Sequence, residues 1–110
     1  SLLDHAIGRK KSEKMKNLIL TLGKDGILAL TEEGNFLVKA PEQIPVNAAG
    51  AGDAVSSTLV WRLSIGRDWQ DALVWASAVS AAAVLTERTG DIKMDDVIRI
   101  KPEVKILQLS

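Results

Sequence analysis

The residues most able to do chemistry lie in one segment, Val46 to Thr58, which reads VNAAGAGDAVSST. Small residues fill positions 48–52 (Ala, Ala, Gly, Ala, Gly), and Asp53 follows at once. Residues without bulky side chains let a ligand come close to the main chain. At a helix start the first N–H groups have no intrahelical acceptor, and the helix dipole adds partial positive charge. Gly50, Ala51 and Gly52 therefore have the makings of an anion site. Such a set of amides can bind phosphate and stabilise the charge that develops as it is transferred. Asp53, at the edge, can accept a proton from an attacking hydroxyl, a role worth about 10²–10⁴ in rate. The plainer alternative is a first-turn carboxylate that complements the helix dipole, worth about 0.3–1 kcal/mol. Two familiar phosphate motifs do not fit. No Gly-Lys-Ser/Thr follows, as a Walker A loop needs, and Val55 stands where a dinucleotide fingerprint has its third glycine.

The elements that position this segment follow from periodicity. Val55, Leu59 and Leu63, spaced four apart, predict a helix over 51–65 that ends at Gly66. Asp68 can cap the next helix, which is expected to run to about Glu87 and to stop at Gly90. Its stripe is Leu73, Ala76, Val79, Ala83 and Val84. Upstream, the apolar run at 17–22 predicts a strand covered on both faces. The turn GKDG (23–26) and a second turn at 32–35 separate it from strands at 27–31 and 36–39, the last two forming an antiparallel hairpin. Pro41 and Pro45 interrupt further pairing. Residues 2–15 form a weak helix pattern, 94–99 a short helix and 104–109 a final strand. The order β-β-β-α-α-α-β suggests part of an α/β sandwich.

Composition narrows the classes. A chain of 110 residues, 46% hydrophobic, supports one domain with one core. Fourteen Lys plus Arg balance fourteen Asp plus Glu, which excludes a generally basic nucleic-acid binder. The absence of Cys excludes a disulfide scaffold, a thiolate zinc site and a Cys nucleophile. His5, the single histidine, argues against a His-rich metal site or a Ser-His-Asp triad. No apolar run approaches the roughly 20 residues of a membrane span, and SLLDHAIGRKK lacks the order of a signal peptide. The cytoplasm is the expected location, with no nucleic-acid or membrane partner. Asp95 and Asp96 read as a helix-start pair rather than a Mg²⁺ site, and Lys24 as a turn lysine within reach of a phosphate. Trp61, Trp69 and Trp75 read as packing residues. The Ala-rich stretch 76–83 either approaches a ligand or packs on a neighbour.

The segment NAAGAGDA followed by a helix resembles the C-terminal signature of the ribokinase (PfkB) family of carbohydrate kinases. Thr21 to Gly26, TLGKDG, resembles that family's nucleotide-side loop ahead of a hairpin. The Ala-rich helix followed by Thr89 and Gly90 resembles the wall and loop beside the adenine. The resemblance runs from about Asn17 to the end of the chain. It implies an α/β fold, the C-terminal part of a ribokinase-like three-layer α/β/α sandwich with a β-hairpin and two long helices. It also implies ATP-dependent phosphoryl transfer to a hydroxyl of a sugar or sugar phosphate, with Mg²⁺. Asp53 matches the family's general base, and Gly50, Ala51 and Gly52 its anion hole. Thr21, Gly23 and Gly26 match the nucleotide loop, and Thr89 and Gly90 the loop closing the adenine pocket.

Departures refine this expectation. Asn47 replaces an Asp that many members carry near a monovalent-cation site, which puts potassium activation in doubt. Ala48, Ala49 and Thr58 also differ from the usual pattern. Asn47 and the KILQL tail lean towards the branch of 1-phosphofructokinase and tagatose-6-phosphate kinase. Family members carry a longer N-terminal portion, with the sugar site and lid. Residues 1–110 are therefore expected to be a single C-terminal nucleotide-binding portion with little or no kinase activity alone. An apolar face left open by the missing portion would make it a homo-oligomer. The alternative from another class is a non-catalytic α/β module that binds a nucleotide or phosphate, with Asp53 only capping a helix.

Overall fold

A computed structural model describes residues 2–12, 16–44, 46, 51–86 and 91–109. Helix α1 (Leu2–Ser12) leads into strand β1 (Leu18–Thr21), a 3₁₀ turn at Gly23–Asp25, β2 (Ile27–Thr31) and β3 (Gly34–Lys39). Helices α2 (Ala51–Ser64), α3 (Trp69–Ala83) and α4 (Met94–Ile100) follow, then a 3₁₀ turn at Lys101–Glu103 and β4 (Lys105–Gln108). The strands form one antiparallel sheet in the order β1-β2-β3-β4.

Alternation along β2 explains the layers. Ile27 and Ala29 point to one face, where Phe36 and Val38 join them against Val55 and Leu59 of α2 and Ala72, Leu73 and Ala76 of α3. Leu28 and Leu30 point to the other face, where they meet Leu18 and Ala6 of α1. The sheet thus lies between α1 and the α2–α3 pair, the expected α/β/α layering. β2 is buried throughout, and the first strand is covered on both faces in part, with Leu18 and Leu20 against one cluster and Ile19 against the other. Among the described residues β1 pairs only with β2, so as an edge strand only Leu18 is buried.

Two helices position the site. The stripe Val55, Leu59 and Leu63 faces the core as its spacing predicts, the last half-buried. Asp68 caps α3, its side chain accepting from the Asp71 N–H at 2.8 Å. A second carboxylate reinforces that start: Glu33, at the hairpin tip, accepts from the Trp69 N–H at 3.0 Å. Arg62 ties α2 to α3 through a two-pronged pair with Asp71 at 2.9 and 3.2 Å. Its guanidinium also lies 4.8 Å from the Trp61 ring centre and 4.6 Å from that of Trp75. Charge-assisted, fork-shaped pairs of this kind are stronger than single ion pairs. The tryptophans act in packing, although Trp61 is 41% exposed and meets Trp75 edge-on at 5.4 Å.

Helix α3 ends at Ala83, short of the expected Glu87. The Leu85 and Thr86 N–H groups bond three residues back, to the carbonyls of Ala82 and Ala83, which tightens the last turn. The Val84 carbonyl is taken by the Val46 N–H at 2.7 Å, so the chain leaving β3 competes with helix continuation. The expected stop at Gly90 lies outside the described residues, as do the last residues of the 2–15 helix pattern. The helix at 94–99 is present as α4. Pro102, which has no N–H to donate, sits in the 3₁₀ turn that follows it.

Candidate active site

A cleft of about 360 Å³ opens between the first 3₁₀ turn, the segment after β3, the start of α2 and the last two turns of α3. Thr21, Gly23, Gly26, Ala51 and Gly52 all line it. The chain folds so for local reasons. Gly23 and Gly26 have φ of +59° and +101°, a region that favours glycine. The turn closes through the Leu22 N–H to the Gly26 carbonyl (2.8 Å) and the Gly26 N–H to the Gly23 carbonyl (3.2 Å). A methyl group on Gly26 would collide with the main-chain carbonyl of Val38. The turn is therefore pressed flat onto β3, which leaves room above it.

Across the cleft, Gly52 lies in the first turn of α2, exposed, and a Cβ built there would meet nothing within 4 Å. Among the described residues, no group accepts a hydrogen bond from the N–H of Ala51, Gly52 or Asp53. Among the described residues, the start of α2 thus has unpaired donors at the positive end of its dipole, beside the cleft. Asp53 is the neighbour of Gly52 on that same turn and is exposed, but it is not among the residues that line the cleft. Gly50, Thr89 and Gly90 lie outside the described residues.

Of the rest of the lining, the sequence marks Lys24 and the stretch 76–83 as able to reach a ligand, whereas it does not mark Val84 and the segment after β3. Ser77, Ser80, Ala81 and Val84 form the α3 wall, and Ala40 to Gln43 the opposite one. The Ala-rich stretch divides its labour, since Ala76, Ala78, Ala82 and Ala83 are packed in the interior. A signal was available: 77, 80/81 and 84 recur at helical spacing as a second stripe beside the apolar one. Thr58 and Thr86 return their hydroxyls to carbonyls of the preceding turn, at 2.7 and 3.1 Å. Among the described residues the hydroxyls of Ser77 and Ser80 make no such bond and are free to meet a ligand. Lys24 and Glu42 supply the charged rim. Among the described residues no three acidic or histidine side chains gather into a metal-binding cluster. No helix among them is long and apolar enough to cross a membrane.

Comparison with known proteins gives these features a context. The chain is 31% identical over 102 residues to the 1-phosphofructokinase of Haemophilus influenzae, covering 89% of this chain and 32% of that protein. Over a shorter span of 64 residues it is 44% identical to the aminoimidazole riboside kinase of Salmonella typhimurium, covering 58% of this chain and 20% of the relative. It superposes with a TM-score of 0.85 on a crystal structure assigned to a Staphylococcus aureus phosphofructokinase, at 27% identity, covering all of this chain and 36% of that one. The chain thus spans between 20% and 36% of the length of these three proteins. Residues 3–96 match the pattern described as pfkB family carbohydrate kinase. That match spans most of the chain, and the fold agrees with it, so the chain belongs to the pfkB family of carbohydrate kinases.

Proposed function

We propose that the chain is the nucleotide-side, C-terminal portion of an ATP-dependent kinase acting on a hydroxyl of a sugar or sugar phosphate. The observation that carries this reading is the start of α2, where Ala51 and Gly52 line an open cleft and their amides have no acceptor among the described residues. A cleft of about 360 Å³ falls within the range of small-ligand pockets, about 300–1,000 Å³. Its walls of Gly, Ala and Ser suit a flat base, with the Ser77 and Ser80 hydroxyls as polar anchors. ATP, when bound with Mg²⁺, supplies the phosphoryl group.

The chain's own residues divide this work. The Ala51 and Gly52 amides stabilise negative charge at the helix start, where electrostatic positioning supplies most of the catalysis of phosphoryl transfer. Asp53, one residue on, takes the proton of the acceptor hydroxyl. The Gly23–Gly26 turn and the α3 wall hold the nucleotide, and the family resemblance gives Thr89 and Gly90 the loop beside its base. The sugar-side portion lies in the part of the relatives that this chain does not span. Without it the acceptor is not oriented, a contribution worth about 7–11 kcal/mol of barrier, so the 110-residue chain alone turns over little or no substrate. The similarity to a 1-phosphofructokinase favours a sugar phosphate as acceptor. The similarity to a riboside kinase marks the nucleoside-like alternative.

Two measurements test the proposal. Calorimetric titration of the chain with ADP should show binding that is lost in Ser80→Trp and kept in Asp53→Asn. In a longer chain that includes the sugar-side portion, Asp53→Asn should lower turnover by about 10²–10⁴ with nucleotide affinity unchanged. A folded chain that does not bind ADP overturns the nucleotide site, and full turnover by Asp53→Asn overturns the base. Light scattering reads the homo-oligomer also proposed here, which a monomer would exclude.

A further inference from the structure

We propose that a second cleft, next to the first, binds a polyphosphate as its magnesium complex. This cavity of about 810 Å³ is lined by Lys24, Lys39 and Lys105 together with Asp25, Glu42 and Glu103. The lysines come from three separate segments: the 3₁₀ turn after β1, the end of β3 and the start of β4. Lys39 and Lys105 are direct partners across the β3–β4 pair, and both are exposed. Opposed residues of an antiparallel pair project on the same face, with Cβ atoms about 4.5–5.5 Å apart, and like charges there weaken the pair. The register thus sets two lysine side chains at opposed positions on one face of the sheet, and the turn adds Lys24 to the same cavity.

The acidic residues decide the kind of anion. Among the described residues, none of these six charged side chains forms an ion pair with another. Charge of both signs is therefore available to a ligand. Three carboxylates repel a bare polyanion, but they accept hydrogen bonds from the water shell of a bound cation. A magnesium polyphosphate carries both parts, phosphate oxygens for the lysines and hydrated metal for the carboxylates. The metal arrives with the ligand, because no three acids among the described residues gather into a site of their own. The cavity also adjoins the first one, sharing Lys24, Ala40, Pro41 and Glu42 with it. On the function proposed above, the phosphates of a nucleotide next door are taken by the start of α2, so the polyphosphate here is a separate, free molecule.

Titration of the 110-residue chain with magnesium tripolyphosphate, followed by amide NMR, tests this. The Lys39, Glu103 and Lys105 signals should move, and the melting temperature should rise. Lys39→Gln/Lys105→Gln should weaken the binding at least tenfold and abolish that rise. The same variant should bind adenosine, which has no phosphate, as the parent does, so a failure of the first cleft is read separately. Tripolyphosphate binding should be unchanged beside magnesium ADP in the first cleft, and competition by ADP for the same signals overturns a separate site. A folded parent whose Lys39 and Lys105 signals stay put, or a double variant that binds equally well, overturns the proposal.

Discussion

Helices α2 and α3 begin in opposite ways. The start of α3 is closed: Asp68 accepts from the Asp71 N–H, Glu33 accepts from the Trp69 N–H, and the Asp68 carbonyl accepts from the Ala72 N–H. The start of α2 is open, with the Ala51 and Gly52 amides lining a cleft and no acceptor among the described residues. Both helices carry an aspartate in the first turn, Asp53 in α2 and Asp71 in α3. Asp71 is engaged by Arg62, whereas Asp53 stands exposed next to the cleft. A helix start satisfied by its own protein serves stability, and one left unsatisfied has its donors in reserve for a ligand.

That contrast can be broken or sharpened by substitution. Gly52→Asp places a carboxylate where a phosphate is proposed to sit. It should reduce ADP affinity at least tenfold by calorimetry while leaving the melting temperature equal or slightly raised, since an acidic first-turn residue suits the dipole by about 0.3–1 kcal/mol. Retained ADP affinity would mean that the two helix starts do not differ in purpose. Asp68→Ala should cost about 1 kcal/mol in urea unfolding without changing ADP binding. A loss of ADP binding there would make α3's cap part of the site. The smallest effect is expected from Glu33→Gln, whose amide oxygen can still accept from the Trp69 N–H. Unfolding should shift by a few tenths of a kcal/mol, the difference between a charged and a neutral acceptor at a solvated helix end.

What could be read from the chain alone was local. The spacing of Val55, Leu59 and Leu63 fixes which side of α2 is buried, and Asp68 followed by an apolar period marks the start of α3. The glycines of TLGKDG announced a turn that only positive φ values can make. What stayed hidden depends on residues far apart in sequence. The early end of α3 follows from a bond between Val46 and Val84, and the burial of β2 from its place between two strands. Which residues of the stretch 76–83 pack and which reach the cleft is decided only when the segment after β3 is set opposite Ser77 and Ser80. The GAGD segment was recognisable because the chemistry proposed there needs only the main chain and one acid, which a short spelling can specify. Lys39 and Lys105 had no such spelling, since their adjacency comes from the register of β3 with β4.

The collision awaiting any side chain at Gly26 involves the backbone of β3 and not another side chain. No compensating change elsewhere can relieve it, because every residue type has the same carbonyl at position 38. Over evolutionary time the wall contributed by α3 can drift with ligand preference, while the floor beneath it is frozen. The glycine at 26 is accordingly the position least open to redesign, and engineering of the cleft has to proceed from the helix side.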